Sequence, residues 1–310
     1  MSKNQVNWDN LFTYDTLVHA IAGSVGSVTA MTAFYPLDTI RSRLQVEDSR
    51  QAKGVFEMLR ELVNEEGFES LYRGLEPVLT SLCASGFVYF YSFHGLRSVF
   101  GGDKKQHSAA KDLLLGAIAG AINVFLTTPF WVVNTRMKMQ GAKLRKGDEV
   151  LRKYPEYRGI LDGVFRIYAT EGPKALWSST LPSLILVCNP ALQFMIYENL
   201  KRRAQVILGT DTLNAMIIFS LGAVAKSIST VVTYPLQIVQ SKLRYGSDDV
   251  KNKAMLQIFA EMIKKYGFSS LYKGIEAKLM QTVLTTALMY LCYEKIALFV
   301  FQILGSKKSH

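Results

Sequence analysis

The chain has 310 residues, 49% of them hydrophobic and 20% charged, with a formal charge of +11. That length fits two soluble domains or one membrane bundle, and the bulk percentages do not choose between them. His19, His94, His107 and His310 lack metal-ligand spacing, and Cys83, Cys188 and Cys292 form no CxxC pair, so a metal centre is not expected.

The distribution of charge decides more than its total. No Asp, Glu, Lys or Arg occurs in Thr16 to Leu37, Pro77 to Leu96, Leu113 to Thr135 or Ala175 to Tyr197. Thr212 to Ser241 is interrupted only by Lys226, and Ala277 to Tyr293 only by Lys278. Each run is close to the roughly 20 residues that cross a bilayer core. Six spans follow, an even number that puts both ends of the bundle's chain on one side. The basic residues are scattered between these runs, which argues against nucleic acid and for contact with anionic lipid or an anionic substrate. The cysteines lie inside the apolar runs, where buried thiols are expected. Neither a signal peptide nor an Arg-rich leader is recognisable, and Ser306-Lys307-Lys308-Ser309-His310 is not the Ser-Lys-Leu address, so targeting is expected to be internal.

An internal repeat organises the chain. Gly23, Gly116 and Gly222 each stand thirteen residues before a proline: Pro36, Pro129 and Pro235. Ser27, Gly120 and Lys226 stand nine before, so two copies carry a small-xxx-small pattern that permits close helix packing, and the third replaces it with a base. After the prolines come Asp38, Arg41 and Arg43; then Trp131, Asn134 and Arg136; then Gln237, Gln240 and Lys242. Farther on, Glu66-Gly67 leads to Tyr72-Arg73-Gly74, Glu171-Gly172 to Trp177, and Tyr266-Gly267 to Tyr272-Lys273-Gly274. Between them, Val55, Leu59 and Leu62, then Ile160, Val164 and Ile167, then Met255, Phe259 and Met262 recur at helical spacing. Such short amphipathic helices belong along a membrane surface. The expected fold is therefore an all-α membrane protein: six transmembrane helices in three tandem two-helix repeats with pseudo-threefold symmetry, plus short surface helices. The repeats are placed at 1–104, 105–207 and 208–310. A proline inside a span removes a backbone bond and kinks it, so Pro36, Pro129 and Pro235 are read as helix kinks that close one end of a central cavity.

The pattern Pro-x-[Asp/Glu]-x-x-[Lys/Arg] in triplicate, with Gly-x-x-x-x-[aromatic]-[Lys/Arg]-Gly downstream, resembles the mitochondrial carrier family over roughly residues 14 to 300. Gly26 to Met31, Thr127 to Arg136 and Ala277 to Met289 look like the family's peroxisomal members that carry adenine nucleotides and cofactors. The resemblance implies a peroxisomal membrane location, with the mitochondrial inner membrane as the alternative. It also implies a monomer and alternating-access exchange of CoA, FAD, NAD and AMP or ADP as substrates, with no resident cofactor. The rivals are a carrier for another nucleotide or a folate-like anion, and a carrier-fold scaffold that moves nothing. No nucleophile, catalytic dyad or phosphate-cradling loop is present, so an enzyme is not expected.

The resemblance also assigns roles. In the family an acid of one repeat pairs with a base of the next, which here sets Asp38 against Asn134, Trp131 against Gln240, and Gln237 against Arg41. None is a complete ion pair, so hydrogen bonds are expected instead. Trp131 could equally be plain packing or an interfacial anchor. The opposite gate is read as Arg97 with Glu294, together with Glu198 and Lys201. Seven residues after the motif glycine, the substrate contacts become Ser81 and Gln281, with Leu186 or Val187 in the second repeat. Lys226 and Lys278 are intramembrane charges, which usually face a cavity. Lys278 lies one turn from Gln281 and could hold a phosphate; snorkelling to an interface is the other reading of both lysines. The long basic loop from Lys138 to Arg158 reads first as lipid contact. The resemblance adds a second role, docking of the peroxisomal membrane-protein import receptor through Lys143, Arg145 and Lys146.

Overall fold

The computed structural model describes residues 25–48, 50, 53–100, 109–143, 154–210, 212–246, 250 and 253–303. Among them every regular element is a helix, and there is no strand. The first span comprises helical residues 25–33, a turn at Phe34, and α1 (Tyr35–Val46). Then follow the surface helix α2 (Val55–Glu66) and the second span α3 (Leu75–Phe100). Repeat two is α4 (Ala109–Lys138), α5 (Ile160–Glu171), the single turn α6 (Pro173–Leu176), α7 (Thr180–Leu186) and α8 (Asn189–Leu208). Repeat three is α9 (Ala215–Tyr245), α10 (Met255–Tyr266) and α11 (Ile275–Ile303).

Among the described residues, Lys111–Lys138, Pro173–Leu208 and Met216–Tyr245 are both long and apolar enough to cross a membrane. Helices α3 and α11 have 26 and 29 residues. At 1.5 Å per residue even the shorter spans about 39 Å, more than a bilayer core. The helices close into a ring by packing each even span along the next odd one: α3 on α4, α8 on α9, and α11 on α1. Each helix satisfies its backbone hydrogen bonds within itself, as a segment in hydrocarbon must.

Each repeat builds its own core at the proline end. Leu37, Ile40 and Leu44 of α1 pack on Val55, Met58 and Leu62 of α2, and Ala277 of the third repeat joins them. Val132 and Val133 meet Ile167 and Leu176, while Tyr234, Ile238 and Val239 meet Ile258 and Met262. The surface helices turn one stripe inward and leave Phe56, Leu161, Phe165 and Leu256 outward. The buried stripe is rotated from the expected one: Met58 and Ile258 are buried, while Leu59, Val164 and Phe259 are only partly so. At position 163 a glycine lets α5 close on α4, since a Cβ there would lie 2.4 Å from a Val133 methyl.

The three prolines act differently from one another. Pro36 sits in the first turn of α1, after a single turn residue, Phe34, whose N–H still donates to the Ala30 carbonyl at 3.2 Å. Pro129 and Pro235 lie inside continuous helices. A proline at 129 leaves the Phe125 carbonyl without its usual donor. The Trp177 indole supplies it, at 2.8 Å. In the other repeats a tyrosine precedes the proline, and its hydroxyl donates to the facing strand of chain: Tyr35 to Arg73 O at 2.9 Å and Tyr234 to Lys273 O at 2.8 Å. Gly74 and Gly274 follow, at φ +78° and +79°, a conformation that disfavours any Cβ, and at Gly74 a Cβ would also lie 2.8 Å from Lys138 Cγ.

Candidate functional site: a two-lobed central cavity

Two cavities meet inside the ring. The smaller, about 380 Å³, lies at the proline end and is lined by Asp38, Arg41, Lys138, Lys226, Lys278 and Gln281, among others. The larger, about 940 Å³, runs from there between α3, α4, α7 and α8 up to Phe93 and Asp112. Trp131, Gln240 and Arg244 line both.

The floor of the smaller lobe is a network between repeats. Arg41 Nη2 donates to Gln237 Oε1 at 3.0 Å, which joins repeat one to repeat three. Ser241 Oγ donates to Gln45 Oε1 at 2.6 Å beside it. Gln240 Nε2 donates to Ser183 Oγ at 2.7 Å, joining repeat three to repeat two. Asp38 departs from expectation. Its carboxylate takes an ion pair from Lys138, with Arg41 3.6 Å away on its own helix. The Asn134 carboxamide oxygen has no partner. Lys138 stands four residues after Asn134, one helical turn on, so it reaches the same acid from the next turn. Trp131 likewise does not answer to Gln240: the Arg244 guanidinium, again one turn on, lies 5.4 Å from the ring centroid. A base missing from the motif position is thus replaced one turn later in repeats two and three.

Below this floor, a second layer ties each span to its surface helix. Arg43 pairs with Glu47 at 3.1 Å and Glu66 at 2.7 Å, and Arg136 with Glu171 at 2.5 Å. Arg136 also lies 4.0 Å from the Tyr154 ring. In repeat three Tyr266 stands where the acid would be, and Lys242 pairs instead with Asp48 of repeat one at 2.7 Å. Lys273 donates to the Asp48 carbonyl. Arg50, fully buried, holds Glu47, Glu61 and Glu65. Burial alone would lower its pKa, but the charges of Glu47 and Glu65 outweigh that and raise it.

The expected substrate residues divide. Lys278 and Gln281 line the smaller lobe, and the Gln281 carboxamide oxygen is buried without a partner. Lys226 lines the same lobe and a third cavity beside it. No carboxylate among the described residues pairs with Lys226 or Lys278. Leu186 and Val187 both line the larger lobe, where the fourth span breaks between α7 and α8. Val187 and Cys188 tighten that turn by donating to the carbonyls of Leu184 and Ile185. Gly120 accepts the bulge, since a Cβ there would sit 2.7 Å from a Val187 methyl. Ser81 does not line the smaller lobe. It is fully buried with an unpartnered hydroxyl, while Val78 and Leu82 of the same helix face the cavity. A helix advances about 100° per residue, so only one of these neighbouring faces meets the lumen.

At the opposite end Arg97 lies 3.8 Å from Asp112, and the Glu294 side chain is outside the described residues. Neither Glu198 nor Lys201 forms an ion pair among the described residues, and Lys201 lies 6.0 Å from the Tyr197 ring centroid. Cys83 and Cys188 are exposed rather than buried, Cys188 because it lines the larger lobe. Lys143 is exposed but tethered to the first repeat, its N–H on Glu66 at 2.9 Å and its amine on the Glu65 carbonyl at 2.6 Å. Arg145 and Lys146 lie outside the described residues.

The sequence profile described as "Mitochondrial carrier protein" matches residues 12–104, 105–206 and 211–303. The chain belongs to the mitochondrial carrier family. Within it, the chain is 48% identical to "Peroxisomal membrane protein PMP34" of Mus musculus, over 97% of this chain and 99% of that one. It is 32% identical to the "Peroxisomal nicotinamide adenine dinucleotide carrier" of Arabidopsis thaliana, over 91% and 95%. It is 27% identical to "Mitochondrial nicotinamide adenine dinucleotide transporter 1" of Saccharomyces cerevisiae (strain ATCC 204508 / S288c), over 90% of this chain and 76% of that one. Members of this carrier family are transporters, and the ring, its three repeats and its central cavity are the parts a carrier requires.

Proposed function

We propose that this chain is a membrane antiporter of nucleotide-containing cofactors: CoA, FAD, NAD and AMP or ADP. They pass by alternating access through the two-lobed cavity, without chemistry and without a resident cofactor. The observation that carries the reading is the lining of the smaller lobe. Arg41, Lys138, Lys226, Arg244 and Lys278 face it against a single carboxylate, Asp38. Such an excess of base in a low-dielectric cleft selects an anion. The larger lobe, walled by Leu186, Val187 and Tyr89, accepts an apolar or aromatic moiety. Two relatives named as NAD carriers and two named as peroxisomal support the substrate class and a peroxisomal membrane location.

The network under the smaller lobe is the gate in this proposal. In the described state it shuts the proline end, and it must part for substrate to leave there. Repeat-built transporters expose one central site to each side in turn by moving repeats against one another.

Purified protein in liposomes tests the reading. Vesicles loaded with CoA or AMP are offered labelled ADP, NAD, FAD or CoA. Uptake is expected only with an internal partner. Lys278→Ala should reduce it about tenfold, the effect of losing one charged hydrogen bond of about 1.5 kcal/mol. Uptake by folded protein of folate but of no nucleotide would reassign the cargo, and no uptake of any anion would favour a scaffold.

A further inference from the structure

We infer that Arg244 is the residue that reads a diphosphate, and that it does so at the neck between the two lobes. The inference rests on the nucleotide reading above. Arg244 is near the end of α9 and lines both lobes, as do only Trp131 and Gln240 among the described residues. The other bases of the smaller lobe are committed or are point charges. Lys138 is taken by Asp38, and Arg41 is held by Asp38 and Gln237. Arg244 has no carboxylate among the described residues. Its guanidinium lies over the Trp131 ring, and its Nε donates to Ser179 Oγ at 3.3 Å. These two contacts hold the plane of the group while using one of its five N–H bonds.

A fixed planar fork suits two oxygens side by side, which an ammonium does not match. The fork grips paired oxygens of any phosphate, and the position of Arg244 singles out a diphosphate, which carries oxygens on two phosphorus atoms and so reaches from one lobe into the other. The position of Arg244 adds a direction. A diphosphate held at the neck leaves one end of the molecule in the lobe walled by Tyr89, Phe93, Leu186 and Val187, and the other beside Lys278 and Gln281. Trp131 is a positioning residue here, because it acts through the guanidinium that it supports.

The test compares AMP with ADP, which differ by one phosphate, in the liposome exchange assay. Arg244→Gln is expected to raise the KM for ADP at least about tenfold and that for AMP less than about threefold. Arg244→Lys, which keeps the charge and loses the fork, is expected not to restore ADP. Equal weakening of AMP and ADP, or full rescue by lysine, would overturn the assignment and leave Arg244 a general electrostatic group. A second measurement is thermal unfolding with inorganic pyrophosphate or orthophosphate, of Arg244→Gln and of the detergent-solubilised wild type. Pyrophosphate should stabilise it more, and equal shifts count against the inference. Should pyrophosphate stabilise the wild type in this way but not Arg244→Gln, while the wild type exchanges neither nucleotide, the nucleotide reading fails and the assignment of Arg244 stands.

Discussion

Asp38 is almost wholly buried, and its partner decides what it can do. Lys138 makes it an ion pair across repeats, with Arg41 as a more distant second cation. Removing one member of a buried pair strands the other charge and typically costs 3–5 kcal/mol. Lys138→Ala should therefore lower the unfolding temperature clearly, whereas Asn134→Ala should shift it little, because the Asn134 carboxamide oxygen has no bond to lose. Thermal unfolding in detergent reads both. Equal effects would return the gate contact to Asn134. The sequence spacing named Asp38, Arg41 and Gln237 for this layer and missed Lys138 and Arg244. The signal was present, nine residues after Pro129 and Pro235, but a motif read at fixed positions does not register that the next helical turn presents the same face.

At the scale of the helix, the repeats are less alike than their spacing implies. Arg43 has two carboxylate partners, Glu47 and Glu66, while Arg136 depends on Glu171 with aromatic support. Glu171→Gln is accordingly expected to destabilise by about 3 kcal/mol or more and Glu47→Gln by less, since Arg43 keeps Glu66 and Arg50 keeps Glu61 and Glu65. The ranking, rather than the size, is what differential scanning would check. Gly163→Ala is a second test of helix packing. The added methyl must displace Val133, and overpacking of this kind costs about 1–3 kcal/mol. Thermal stability unchanged by the substitution would show that α5 is free to lift off α4. Pro129 illustrates how an element is completed from outside itself, since the carbonyl it frees is satisfied by Trp177 from the next segment of chain.

Across the whole molecule, repeat three is joined to repeat one by Lys242 and Lys273 on Asp48, by Ser241 on Gln45 and by Arg41 on Gln237. If this end opens during transport, these contacts must separate. Cysteines at 48 and 242, in a background without Cys83, Cys188 and Cys292, should arrest exchange when joined by a short bismaleimide and recover it when the linker is cleavable and cut. Full crosslinking with normal exchange would mean that the proline end stays shut. The spans, their order and the triplicate layout were readable in the chain, because hydrophobic runs and recurring Gly, Pro and aromatic positions are local properties of covalent order. Family membership followed from the same recurrences.

Which charges meet is settled by the packing of the helices. Lys242 crosses to Asp48 because Tyr266 offers no carboxylate in its own repeat, and Ser81 turns from the lumen while Lys278 and Gln281 face it. Pairing of this kind depends on helix rotation and on the distance between spans far apart in sequence. Periodicity sets the chemistry each helix can present; ring closure selects which part of it faces the cavity.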